Sequence, residues 1–137
     1  MYVLAGVTCI LEHPDLKDYV LVGERLGSHM SGSFAFPGGK MEVGQTPEET
    51  CSRECFEEIN VKISPKRFFF KTFTNDYFEK ENKHFITLHY QCKLTFEETT
   101  MIKNNEPDKC KGWFFAPFQN LPEPHFLPIQ NLFKKLI

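Results

Sequence analysis

The apolar positions along the chain fall into short strand-like runs and two helix-like stripes. Residues 3–11 form an apolar, β-branched run stopped by the turn signal His13-Pro14-Asp15, and residues 19–23 form a second, matching run. The pair predicts two strands joined as a hairpin or meander. Residues 27–33, small and polar with two glycines, predict a loop. A short extended piece, 34–36, follows and is stopped by Pro37-Gly38-Gly39. Residues 68–74 and 84–94 are rich in aromatic and β-branched side chains and predict two further strands, with the charged segment 75–83 as a hairpin connection between them. Another strand is expected at 111–115, around Trp113, and the Pro-rich stretch 117–128 is expected to be irregular.

The period changes to that of a helix in two places. Thr46 is suited to an N-cap, Pro47 to the first helical position, and Glu49 completes a T-x-x-E capping box. Cys51, Cys55 and Ile59 then recur at helical spacing as a core-facing stripe, and Asn60 suits a left-handed helix end. Near the C-terminus Ile129, Leu132, Phe133 and Leu136 follow the i, i+3, i+4, i+7 pattern of a second helix. Strands separated by a central and a terminal helix predict a mixed sheet packed between helices, an α+β fold in α/β/α layers. With no repeat, linker or low-complexity tract, residues 1–137 read as a single domain.

Composition narrows the partners. A formal net charge of −2 lacks the basic footprint of a protein that binds nucleic acid polymers, and no apolar run approaches the roughly twenty residues of a membrane span. Five cysteines, odd in number and without a C-x-x-C pair, together with residues 1–11 showing no signal-peptide pattern, point to reduced thiols in a cytoplasmic compartment. A zinc site at Cys51 and Cys55 competes with simple burial of two helical thiols. Fifteen Phe fit a Phe-heavy core, with a stacking surface as the alternative.

The candidate chemistry lies on the central helix. Glu54, Glu57 and Glu58 stand at i, i+3 and i+4, on the flank of the cysteine stripe. Like charges so close repel by a few tenths of a kcal/mol per pair unless a cation sits among them, and clustered hard oxygens suit Mg²⁺ or Mn²⁺. A solvated acidic face is the competing reading. The preceding Pro37-Gly38-Gly39-Lys40 favours the metal: glycines let backbone approach a ligand, and their carbonyls can join a metal shell.

These residues resemble a known family. The run Gly39-x5-Gln45-x7-Arg53-Glu54-Cys55-Phe56-Glu57-Glu58-Ile59-Asn60-Val61 is similar to the Nudix box, G-x5-E-x7-R-E-U-x-E-E-x-G-U. The likeness extends over nearly the whole chain. Residues 27–40, the Glu79-Lys80-Glu81-Asn82 turn, and 105–110 followed by Trp113 resemble the MutT-related nucleotide diphosphatases, closest to the eukaryotic branch with human nucleotide triphosphate diphosphatase 15 and plant Nudix hydrolase 1. Two positions depart from the motif, Gln45 in place of Glu and Asn60 in place of Gly. Gln45 retains an oxygen for Arg53, and Asn tolerates the left-handed conformation next best after Gly.

The resemblance implies a Nudix fold and a Mg²⁺-dependent hydrolase, with Mn²⁺ as a substitute, that cuts nucleoside triphosphates to monophosphate and pyrophosphate. Oxidised purine nucleotides such as 8-oxo-dGTP are the implied substrates. Glu54 and Glu58 are the expected metal ligands, Glu57 a third ligand or the general base, Glu106 a second candidate base, and Arg53 the residue that orients the glutamates. The Gly38 carbonyl is a candidate metal contact. For substrate binding the carry-over points to the loop 27–33, Phe34, Gly39, Lys40, Thr87, Phe126, Leu127 and Ile129, and for assembly to a homodimer. His84, His89 and His125 are expected to be structural or exposed. Two alternatives remain: a prenyl diphosphate hydrolase of the same fold, and a nucleotide-binding module without turnover.

Overall fold

Ten apolar-leaning residues, Val3–Glu12, form the central strand β1, and their neighbours in space come from distant parts of the chain. The computed structural model describes residues 2–27 and 29–136. The strands that follow are β2 (Tyr19–Arg25), β3 (Phe34–Ala35), β4 (Gly38–Lys40), β5 (Phe69–Phe78), β6 (Lys83–Lys93) and β7 (Cys110–Pro117). The helices are α1 (Pro47–Ile59), α2 (Phe96–Met101) and α3 (Leu127–Leu136). Among the described residues they build a seven-stranded mixed sheet with the path β3-β2-β1-β6-β5, while β4 pairs with β1 and β7 with β2. The β1–β6 pair is parallel over its whole length, from Val3↔His84 to Glu12↔Lys93.

Alternation along these strands sorts the core into two layers. Val7, Cys9 and Leu11 face α1, where they meet Cys51, Cys55 and Ile59. Ile10, Val20 and Val22 face the other way, against Ile129 and Leu132 of α3. The expected layering of helix, mixed sheet and helix is therefore the observed one. The five cysteines are free and buried, and the thiols of Cys9, Cys51 and Cys55 serve as α1-side core.

Helix α1 starts where its capping chemistry dictates. Glu49 N–H donates to Thr46 Oγ1 at 3.1 Å and Thr46 N–H donates to Glu49 Oε1 at 2.8 Å, a complete capping box. Such a cap is worth about 1 kcal/mol. Asn60 ends the helix at φ 68°, ψ 21°, the left-handed conformation expected of it, with its N–H donating to Phe56.

Four expectations need correction. The segment 75–83 is mostly strand: Thr74, Asp76 and Phe78 are buried in alternation with exposed neighbours, so β5 runs on to Phe78 and only 79–82 turns. A buried aspartate is tolerated there because Thr74 and Asn131 both donate to it. Extended backbone does not stop at Pro37-Gly38-Gly39: Gly38-Gly39 starts β4, antiparallel to β1. Strand β2 pairs with β1 only at Glu12↔Val20 and takes β7 as its long partner, so the first two strands diverge rather than form a full hairpin. Leu136 of the terminal stripe is half exposed, beyond the reach of the sheet. Helix α2 was not predicted, although Thr95 and Glu98 repeat the capping box of α1.

His89 anchors the α3-side layer and, as expected, is structural. It is fully buried, with Nδ1 2.6 Å from Thr8 Oγ1 and Nε2 2.8 Å from Thr74 Oγ1. The Thr74 hydroxyl proton goes to Asp76 Oδ2 at 2.8 Å, so His89 donates from Nε2 and accepts from Thr8 at Nδ1. Burial pulls the His89 pKa from its ordinary 6.5 to about 4, with Asp76 opposing the shift. The unfolded chain therefore takes up a proton below pH 6.5 that the folded chain refuses until about pH 4. The neutral imidazole's contribution is full above pH 6.5 and is lost as pH falls towards 4, about 3 kcal/mol in all. We expect His89→Gln, which keeps a donor and an acceptor but does not titrate, to lose less stability over that range. Urea unfolding at pH 7, 5.5 and 4.5 measures the difference, and parallel losses in both proteins would contradict it.

Candidate active site

The site is built where β4 lies between β1 and α1. Gly38 N–H donates to Glu58 Oε2 at 2.9 Å, which ties the glycine strand to the last turn of the helix. In extended backbone the carbonyl points to the same side as its own N–H, so Gly38 turns both polar groups towards the glutamates. Gly39 is there for space: a Cβ on it would lie 2.4 Å from Glu54 Oε1. Glu54 and Glu58 lie close enough for each carboxyl to influence the other's titration.

Arg53 organises the outer side of the cluster. Its Nε donates to Gln45 Oε1 at 3.2 Å, its Nη1 to Glu54 at 3.1 Å and to Glu57 at 3.2 Å, and its Nη2 to the Lys40 carbonyl at 3.0 Å. Gln45 thus fills the place of the motif glutamate as an acceptor, and Thr50 donates to it as well. Exposed as Arg53 and Glu57 partly are, these contacts orient more than they stabilise.

Glu58 differs from its neighbours. Arg53 does not reach it, and burial followed by the Glu54 charge raises its pKa well above the ordinary carboxylate value, with the Gly38 N–H opposing. Burial raises Glu54 as well, against the pull of Glu58 and Arg53. Two half-buried carboxyls side by side are eased by a proton or a cation between them. Paired hard oxygen donors of this kind fit a divalent metal ion. Among the described residues no group of three His, Cys, Asp or Glu side chains is placed to hold a metal ion, so protein carboxylates alone do not complete a shell. An open pair of carboxylates completed by water and phosphate is the manner in which Mg²⁺ binds, so donor chemistry and openness agree.

From the glutamates a cavity of about 400 Å³ runs across the sheet end to α3. That is a suitable size for a small organic ligand. Gly38, Gly39, Lys40, Glu54, Glu57, Glu58 and Glu106 line one end, and Thr87 and Phe126 the other. Glu106 stands 3.7 Å from Lys109 Nζ. Three expected binding residues lie outside the lining. Phe34 packs edge-on against Phe114, Ile129 is sealed in the α3-side core, and Leu127 yields its place to Pro128.

Sequence reasoning missed Arg25, Phe78 and Phe85, which line the cavity; His29 lines it too, from the loop 27–33 to which the resemblance pointed. Phe78 and Phe126 have ring centroids 5.4 Å apart, and His29 packs on Phe78 at 4.4 Å. His29 Nδ1 lies 2.9 Å from Glu81, whose pKa is lowered chiefly by that contact. The loop 27–33 and the turn 79–82 therefore meet over the aromatic end, Ser28 of that loop lying outside the described residues. These residues come from three segments that only the tertiary fold brings together.

Comparison with known proteins decides the family. The NUDIX domain model matches residues 3–136. The chain belongs to the Nudix family. Two curated Nudix relatives are 8-oxo-dGTP diphosphatases, from Proteus vulgaris at 40% identity over 65 residues and from Escherichia coli K12 at 35% over 80. Those alignments cover 47% and 58% of this chain and 54% and 58% of the relatives, so the chain spans little more than half of their length. A MutT Nudix hydrolase from Burkholderia pseudomallei superposes with a TM-score of 0.80 at 17% identity, over 96% of this chain and 99% of that one. That match shows the fold, which is the Nudix fold.

Proposed function

We propose that this Nudix protein is a Mg²⁺-dependent pyrophosphohydrolase of nucleoside triphosphates, with Mn²⁺ able to serve, acting on oxidised purine nucleotides such as 8-oxo-dGTP. One observation carries this reading: a half-buried carboxylate pair, Glu54 held by Arg53 and Glu58 by the Gly38 N–H, faces an aromatic-walled cavity of about 400 Å³. The 8-oxo-dGTP diphosphatases among its relatives support the substrate class, and the likeness of 27–40 and 79–82 to the eukaryotic branch supports a place within it.

Glu54 and Glu58 would hold the metal, with Glu57 or the Gly38 carbonyl beside them. When bound, the ion supplies charge neutralisation for the triphosphate and its leaving pyrophosphate. Arg53 fixes the rotamers of Glu54 and Glu57 through Nη1. Glu57 or Glu106 receives the proton of the attacking water, and the kcat of Glu57→Gln against Glu106→Gln tells which. At the other end Thr87 and His29 set polar side chains beside Phe78, Phe85 and Phe126. With Arg25 they give that end polar groups to read a base, which a prenyl tail would leave unpaired. We expect 8-oxo-dGTP and dGTP to be cleaved faster than geranyl diphosphate in Mg²⁺ buffer. Faster release from geranyl diphosphate would overturn the substrate class, and no release from any of the three would leave a binding module.

A second copy of the chain is the partner proposed for the exposed apolar sheet face beside β5, where only the Lys135 ammonium, 4.0 Å over the Phe73 ring, lies against it among the described contacts. That strand ends the sheet path, and Val3, Phe70, Phe73 and Tyr77 are each about half exposed there. Together they offer about 400 Å² of apolar surface, and an interface about 60% apolar built on it buries roughly 1,300 Å² in total, within the standard dimer range. Light scattering should give twice the 16.0 kDa chain mass, and Phe73→Glu should halve it. A 16.0 kDa particle for the unaltered protein at ~100 µM would exclude it.

A further inference from the structure

We propose that Asp76 and Asn131 are positioning residues for base binding, holding α3 at the place on β5 that closes the aromatic end of the cavity; the role rests on the nucleotide reading above. Asp76 is fully buried on the α3 side of β5. Its Oδ2 accepts from the Thr74 hydroxyl at 2.8 Å, and its Oδ1 accepts from Asn131 Nδ2 at 2.7 Å. A carboxylate only accepts, so both partners must turn a donor towards it. Asn131 Nδ2 also donates to the Asn75 carbonyl at 3.2 Å, and the whole amide donor is thus spent on β5. One turn further on, Lys135 Nζ donates to the Phe73 carbonyl at 2.6 Å, but from an exposed and flexible stem.

The same two elements carry the cavity wall. Phe78 stands two residues beyond Asp76 on the same side of β5, and Phe126 immediately precedes α3. Their rings line the cavity with centroids 5.4 Å apart and planes tilted by 36°. Phe126 moves with the helix, because its carbonyl accepts from the N–H groups of Ile129 and Gln130 at 2.9 and 3.1 Å. Its own N–H donates to the Phe34 carbonyl of β3 at 2.9 Å, which gives the start of α3 a pivot on the far side of the sheet. Ile129 and Leu132 keep the helix on the sheet, but apolar contact has no direction. The buried bond between Asp76 and Asn131 is what fixes where along β5 the helix lies, and with it the gap between Phe126 and Phe78.

Asp76→Asn keeps the shape and an acceptor for Thr74 but sets one amide donor against another. Adding Asn131→Asp returns a donor and an acceptor to the same two positions. Calorimetry in Mg²⁺ buffer compares dGMP with inorganic pyrophosphate, which has no base to place at the aromatic end. In Asp76→Asn, dGMP should bind about ten-fold more weakly while pyrophosphate stays within about two-fold of the unaltered protein. KM for dGTP should rise about ten-fold with kcat changed less than about two-fold. The double variant should recover dGMP binding to within about three-fold. Asn131→Gln, which displaces the amide by one methylene at a half-buried position, should show the pattern of Asp76→Asn and serves as the test if that variant does not fold. Unchanged dGMP binding, equal losses for both ligands, or no recovery in the double variant would overturn the positioning role. If the unaltered protein neither binds dGMP nor cleaves dGTP, the nucleotide reading itself fails, and that result comes before any variant is measured.

Discussion

Glu58→Gln is expected to lower turnover of the preferred triphosphate by about a thousand-fold while leaving the fold intact. The amide is isosteric and can still accept from Gly38 N–H, so the tie between β4 and α1 survives. What disappears is the second negative charge of the pair formed with Glu54. A thousand-fold corresponds to about 4 kcal/mol of lost transition-state stabilisation, a reasonable share of what a divalent ion contributes. Stability should move the opposite way. Glu58 has a folded pKa raised well above its unfolded one, so the folded chain retains a proton that the unfolded chain has released. The contribution of the protonated carboxyl is full below the ordinary glutamate pKa and is lost as pH rises through the raised value. In metal-free buffer the variant should therefore outlast the unaltered protein above that value, and the gap should close in acid. Adding Mg²⁺ should raise the melting temperature of the unaltered protein and leave the variant unmoved, because an ion that binds only the folded form stabilises it by mass action. An unchanged rate in Glu58→Gln would remove the metal-binding role of α1.

How much of this was legible in the sequence depends on how local the cause is. Helix α1 could be read almost to the residue, because Thr46, Pro47, Glu49 and Asn60 act within one turn of the backbone they cap. The i, i+3, i+4 spacing placed Glu54, Glu57 and Glu58 together for the same reason, and Gln45 meets Arg53 as the motif resemblance implied. Strand β5 was cut short because its charged and polar residues look like a turn until Asn131, 55 positions away, is seen to satisfy Asp76. The cavity was the least legible part. Arg25 precedes the motif, Phe78 and Phe85 flank a distant turn, and no spacing rule joins them. Phe34 and Ile129 carried the expected chemistry but point into packing, a distinction made by the register of β3 and the rotation of α3.

The adjacent glycines of β4 should separate fold from chemistry in one pair of variants. A Cβ on Gly38 would fall 2.2 Å from the Val7 carbonyl oxygen and 2.9 Å from Thr8 Cα. Both are backbone atoms of the central strand, locked in a ladder with β6, and neither can retreat without disturbing the sheet. Gly38→Ala is therefore expected to cost about 3 kcal/mol, the upper range for overpacking, and to loosen the N–H that holds Glu58. On Gly39 the same methyl would meet Glu54 Oε1 at 2.4 Å and Cδ at 2.5 Å, atoms at the far end of a side chain that can rotate away. Gly39→Ala should fold with a loss of less than about 1 kcal/mol, yet move Glu54 off Arg53 and Glu58 and lower kcat by about a hundred-fold. Urea unfolding and Mg²⁺-dependent turnover, measured on both variants, check the prediction. The ordering is the test, because a Gly39→Ala protein that is unstable but fully active per folded molecule would mean that the carboxylate of Glu54 is held for packing and not for chemistry.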